Sequence, residues 1–208
     1  MFYLVKTPLL LKKIYPECLW DIKTHEKVLY LTFDDGPHPM ATPFVLEQLK
    51  KYNAKATFFC IGKNVEEHFD IYKKIIDEGH AVGNHTYDHL NGWKTNDKTY
   101  LDNIFKAKKI IDSNLFRPPF GRITKFQLQQ LQGEKYNLKP IMWSVLSGDF
   151  DEKILDEQCY YRVVKNAKAG SIVVFHDSAK AMDRLSYAFP LVLKYFTENG
   201  FKFKSISI

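Results

Sequence analysis

Two histidines four residues apart, His85 and His89 in "GNHTYDHL", are the first residues in this chain whose spacing suggests chemistry. An i, i+4 pair puts both imidazoles on one face of a helical turn, close enough to hold one metal ion. Two ordinary surface histidines are the plain alternative for a bare HxxxH. The Gly-Asn lead-in after an apolar run places the pair at a strand end and favours the site. Two histidines alone are incomplete, because catalytic zinc centres use three protein ligands and keep one position open. A carboxylate is the natural third, and "VLYLTFDDGPHP" ends an apolar run with two, Asp34 and Asp35. Side chains alternate along a strand, so the two aspartates face different ways. If both serve one site, they do different jobs. Gly36 and Pro37 behind them mark a tight turn.

Three further residues join this set. His176 ends "GSIVVFHDS", and a histidine after a buried strand is a plausible acid or base. Arg117 in "RPPFGR" and Asp149 in "WSVLSGDF" are weak signals alone, since a salt-bridged rim explains either one. Together these residues supply metal ligands, a base, an acid and two orienting charges.

The elements that must position them read as short apolar runs alternating with amphipathic segments. Strands are predicted at 28–34, 56–61, 80–84, 115–118, 141–146, 171–176 and 201–206. Helices are predicted near 40–52, 65–78, 97–113, 124–135, 155–168 and 184–198. Glycines in "EGH", "AG" and "NG" sit where helices should stop, and Asn96 or Asp97 offers a helix cap. Such alternation predicts an α/β fold with a mostly parallel sheet, either open or closed. The chemical residues lie at the C-terminal ends of strands spread over nearly the whole chain. An open sheet concentrates its site at one switch point, whereas a barrel gathers many strand ends on one face. The expectation is therefore a (β/α) barrel of seven parallel strands.

Composition agrees with one domain. The chain has 208 residues, 45% hydrophobic and 26% charged, which suffices for a real core. The net charge of +6 is spread over several helices without a dense basic run, so nucleic-acid binding is not expected. Cys18, Cys60 and Cys159 are far apart and odd in number, which argues against disulfides and thiolate zinc sites and fits a reducing compartment. Residues 1–25 are expected to form an arm packed on a domain spanning 26–208, with a peripheral membrane foot or an uncleaved export signal as alternatives. Lys6, Pro8, Lys12, Lys13 and Pro16 interrupt that segment, so it makes no transmembrane span. It also lacks the pattern of a cleaved signal peptide, which points to the cytoplasm, while a cell-wall substrate would point outside.

Five segments in order resemble the motifs of the polysaccharide deacetylases, carbohydrate esterases with the NodB-type domain. They are "TFDDGP" (32–37), "HTYDH" (85–89), "RPPFG" (117–121), "SGDF" (147–150) and "VFH" (174–176). The first two are specific, the last two weak alone. The resemblance implies a distorted (β/α) barrel and a carbohydrate substrate handled by a monomer. It implies Asp34 as catalytic base, and Asp35, His85 and His89 as ligands of a divalent metal. Zinc suits this donor set best, and cobalt or nickel would also bind. It further implies that Arg117 holds the base, that Asp149 pairs with His176, and that His176 is the general acid. Phe120 would offer a backbone N–H to the oxyanion, while Phe150 and Val174 would line the acetyl pocket. Phe120 stands where the family usually has Tyr, and Phe150 where it usually has Trp, so the pocket could be wider. The implied reaction is removal of N-acetyl groups from N-acetylglucosamine-type sugars in chitooligosaccharide or peptidoglycan. The alternatives are O-deacetylation of acetylated xylan, hydrolysis of another amide, and an inactive carbohydrate-binding barrel.

Overall fold

The computed structural model describes residues 3–207, so residues 1, 2 and 208 of the arm and domain expected above lie outside the described residues. The central strand is β1 (Val28–Asp34), and its alternation organises the molecule. Leu29, Leu31 and Phe33 point outward into the main core under the helices. There Phe33 packs against Phe58, Phe175 and Phe189, with ring centroids 5.1 to 6.1 Å apart. Burying each such side chain stabilises the fold by about 2 kcal/mol. Thr32 and Asp34 point the other way, to the barrel interior, where Arg117 donates to both.

On one side of β1 lie β2 (Thr57–Cys60), β3 (Ala81–Asn84), β4 (Leu115–Phe116) and β5 (Lys139–Pro140). On the other lie β7 (Ile172–His176) and β6 (Val145–Leu146). These seven strands are parallel throughout, in the order β5-β4-β3-β2-β1-β7-β6. A further short strand, β8 (Lys202–Phe203), pairs with the start of β1. The sheet curls into the distorted barrel the sequence predicted. Helices α2 (Ala41–Lys51), α5 (Asp97–Lys108), α6 (Lys125–Leu131), α7 (Asp156–Asn166) and α8 (Met182–Glu198) fall on predicted helical segments. Asn96 caps α5 by accepting from Thr99 N–H at 2.9 Å, and Thr124 with Gln127 forms a capping box on α6. The three cysteines are buried and free.

Two predicted elements need correction, and one helix was not foreseen. The helix expected over 65–78 is two, α3 (Gly62–Glu67) and α4 (Phe69–Asp77), separated at His68, whose φ of −132° leaves the helix. The strand expected over 141–146 does not exist as one piece. Its flanks are β5 and β6, the two ends of the sheet, and 141–144 bridges them. An uninterrupted apolar run carries no signal for this. The bonds of that backbone go elsewhere: the Ile141 and Met142 carbonyls accept from Arg117, and the Trp143 carbonyl accepts from the Thr7 hydroxyl. Finally, α1 (Leu9–Ile14) was not expected as a helix.

Val5 and Thr7 lie along the seam between β5 and β6. Leu146 N–H donates to Val5 O at 2.8 Å, and Thr7 N–H to Ser144 O at 3.1 Å. Leu19 exchanges bonds with the other edge, through Pro140 O at 2.9 Å and Met142 N–H at 2.8 Å. Both edge strands are thereby covered. Among the described residues no helix is long and apolar enough to cross a membrane.

Candidate active site

The site lies at the C-terminal ends of the strands. His85 follows β3, and its Nδ1–H donates to the Arg117 carbonyl at 2.8 Å. That bond fixes the tautomer and leaves the Nε2 lone pair facing Asp35, 3.7 Å from its Oδ1. Burial pushes the imidazole down to about 4, so it stays neutral near pH 7. His89 Nε2 lies 3.1 Å from the same oxygen. The two rings converge from a loop rather than from the helical turn that the spacing suggested. Thr86 and His89 have φ of 65° and 56°, which no helix contains. The loop is held instead by Asn103, whose side-chain oxygen accepts from the N–H groups of Tyr87 and Asp88.

Asp35 itself has φ 81°, and this turns its carboxylate away from that of Asp34. Its Oδ1 is buried and has no hydrogen-bond partner despite the two nearby nitrogens. Burial pushes the Asp35 carboxyl up, but His89, His176 and His85 hold it net well below the usual range. One ligand atom from each of Asp35, His85 and His89 lies within 4.8 Å of the other two. An orphaned carboxylate oxygen facing two imidazole nitrogens is a donor set that fits a divalent ion.

Two ion pairs flank this cluster. Arg117 is fully buried and puts Nη1 2.7 Å from Asp34 Oδ1. Its other donors reach Thr32, Ile141 O and Met142 O, and its plane stacks 4.0 Å over Phe59. On the opposite side His176 Nδ1–H donates to Asp149 Oδ1 at 2.8 Å, with Ser147 donating to the same oxygen. Burial pulls the imidazole down, but Asp149 more than offsets it and raises His176 to about 9. Phe150 packs edge-on to His176 at 5.0 Å. Val174 is buried and, by the alternation of β7, faces the interior two residues below His176. Phe120 is 49% exposed, with its ring 4.6 Å from His89 and a φ of 59°. The fold thus brings all ten expected site residues to one mouth.

The comparisons with known proteins fit this geometry. The family model for polysaccharide deacetylase matches residues 21–138. The chain is 34% identical over 193 residues to a peptidoglycan-N-acetylglucosamine deacetylase of Bacillus cereus, covering 90% of each protein. It belongs to the polysaccharide deacetylase family. The chain is also 35% identical to a chitooligosaccharide deacetylase of Azorhizobium caulinodans, over 75% of this chain and 76% of that one. Among solved structures it resembles a peptidoglycan N-acetylglucosamine deacetylase in complex with a naphthalenyl N-oxidanyl-benzamide. That match has a TM-score of 0.86 and 29% identity, covering 94% of each chain. This polysaccharide deacetylase is therefore an enzyme of a family that is generally metal-dependent.

Sequence reasoning passed over a further buried carboxyl beside the site. Asp177 is fully buried, accepts from Gly36 N–H at 3.1 Å and from the Thr42 hydroxyl, and donates its own N–H to Asp34 O. Burial raises it to about 8, so it is mostly neutral at pH 7. A Cβ on Gly36 would lie 2.0 Å from Asp177 Oδ2, which explains the glycine in the turn. The only signal was the Asp after His176 in "VFHDS". Asn64 and Arg184 were also missed. Asn64 donates to Asp35 O at 2.7 Å, and Arg184 donates to Asp149 O at 2.6 Å. Lone polar residues on amphipathic helices give no sequence signal for either.

Proposed function

We propose that this polysaccharide deacetylase removes N-acetyl groups from N-acetylglucosamine-type sugars, in peptidoglycan or chitooligosaccharide, using a divalent metal. The observation that carries the reading is the pair of opposed dyads around one ligand cluster. Amide hydrolysis needs a base and an acid at once, and their protonation states must differ at one pH. Asp34 beside Arg117 suits the base, and His176 beside Asp149 suits the acid.

Asp35, His85 and His89 would hold the metal, and zinc matches their donor atoms best. When bound, a divalent ion supplies Lewis acidity at this point. Asp34 does not belong to the ligand cluster, so its carboxylate is available to take a proton from the attacking water. The Arg117 guanidinium orients it through a hydrogen bond of 2.7 Å. Because Nδ1 of His176 is engaged with Asp149, Nε2 is the atom that gives a proton to the departing amine. The Phe120 backbone N–H would meet the charge developing on the carbonyl oxygen, an interaction typically contributing about 3–4 kcal/mol. Phe150 and Val174 would form the apolar wall for the acetyl methyl.

The test is acetate release from chitooligosaccharides, peptidoglycan fragments and acetylated xylan, each with chelator and with zinc, cobalt or nickel restored. Release from the two N-acetylated substrates, abolished by chelator, is expected. Release from acetylated xylan alone would replace N-deacetylation by O-deacetylation.

A further inference from the structure

The N-terminal arm carries a feature that the chemistry does not use. Among the helices of the described residues, α1 stands out because none of its residues is fully buried. Leu11 and Tyr15 pack partly against a core cluster and anchor the segment. Leu9 and Leu10 are 74% and 68% exposed, and Ile14 is 46% exposed. A six-residue helix with an outward apolar face gains nothing in stability from that face. Around it stand cations. Lys12 pairs with Asp21, whereas Lys6, Lys13, Lys23 and Lys168 are exposed and make no ion pair among the described residues.

Lys6, Leu9, Lys12, Lys23 and Lys168 line one open cleft of about 610 Å³. Its floor includes Ser171, just before β7. His176 and the ligand cluster lie at the other end of the same strand. Four steps of about 3.3 Å along β7 put roughly 13 Å of barrel between the two ends. The lysine-and-leucine face and the catalytic mouth therefore point to opposite sides of the molecule. Lysines in the last turn of a helix have an ordinary reason to be there, since they complement the helix dipole. That reason does not reach Lys6, Lys23 or Lys168, which lie outside the helices, and it does not explain the exposed leucines.

We infer that α1 and its surrounding lysines form a foot that docks this enzyme on an anionic lipid surface, leaving the catalytic mouth turned away from the bilayer. The apolar pair would enter the headgroup boundary, and the lysines would meet lipid phosphates. Stable peripheral attachment commonly needs both signals together. The cleft between the lysines gives a headgroup room beside Leu9.

The full chain is sedimented with phosphatidylcholine vesicles, with and without phosphatidylglycerol, at low and high salt. Binding to the anionic vesicles at least tenfold tighter than to neutral ones is expected. Leu9→Ser with Leu10→Ser should weaken it about tenfold, and Lys13→Glu with Lys23→Glu by at least as much. Lys94→Glu with Lys125→Glu makes the same charge change beyond the other strand ends and should leave binding intact. Thermal melts check that each variant is folded. Equal binding to both vesicle types, full binding by the leucine variant, or equal loss in the Lys94 and Lys125 variant would each overturn the foot. So would capture of free inorganic phosphate in the cleft without vesicle binding.

Discussion

Asp149 grips His176 twice: Oδ2 accepts the backbone N–H at 2.7 Å, and Oδ1 accepts the ring Nδ1–H at 2.8 Å. The first bond sets where the residue sits, and the second sets how its ring is turned and charged. His176 is thereby raised to about 9 from an ordinary value of about 6.5. An acid with that value stays protonated through neutrality. The alkaline limb of kcat/KM should fall near pH 9, and Asp149→Asn should move it down by at least one pH unit. The sign for stability follows from the same shift. The contribution of the pair is complete below about pH 6.5 and disappears as pH rises through about 9. A limb that stays in place in the Asp149→Asn protein would remove His176 as the acid.

Arg117 should be the most costly single residue of the barrel interior to lose. Its removal strands the Asp34 carboxylate and the Ile141 and Met142 carbonyls in a buried space. Breaking a buried pair from one side typically costs about 3–5 kcal/mol. Arg117→Met should lower the urea midpoint accordingly. Arg117→Lys should recover little, because one ammonium cannot reach four acceptors laid out for a planar fork.

Metal content separates the two adjacent aspartates. Asp35→Ala and His85→Ala should each bind substoichiometric zinc when assayed by elemental analysis after dialysis. Asp34→Asn should retain near-normal zinc while losing activity by at least a hundredfold. Equal zinc in all three proteins would dissolve the division of labour between Asp34 and Asp35.

Asp177 gives a prediction of the same sign as His176, in a lower pH window. Its folded value near 8 lies above the ordinary carboxyl value of about 3.9. The folded state thus holds a proton that the unfolded chain releases. The stabilisation is full below about pH 3.9 and declines as pH rises to about 8. Asp177→Asn is neutral at every pH, so its stability should vary less between pH 4 and 8. Gly36→Ala should destabilise strongly, because its methyl group would occupy the space of the Asp177 carboxyl.

Much of this site was legible because its residues sit where strands end, and strand ends are visible as apolar runs that stop. The alternation in "YLTFDD" already separated Phe33 from Asp34, and the fold places them on opposite faces. What stayed hidden depends on backbone bonds that sequence does not display. The loop around His85 and His89 reads as a helical spacing, yet its conformation is set by Asn103, far along the chain. Arg117 takes the carbonyls of Ile141 and Met142, so an apolar run that looks like one strand keeps only its end, β6, as a strand. Asp177 showed only as an Asp following a histidine, because burial of a neutral carboxyl has no signature in one sequence.

The seam between β5 and β6 has a consequence for how the molecule comes to exist. Thr7 and Trp143, which meet there, are 136 residues apart in the chain. Synthesis delivers the arm well before its partners β5 and β6. Until then the growing sheet keeps an open edge, and contacts of such long range slow folding. Thr7 and its neighbours in the arm therefore wait longest for their partners.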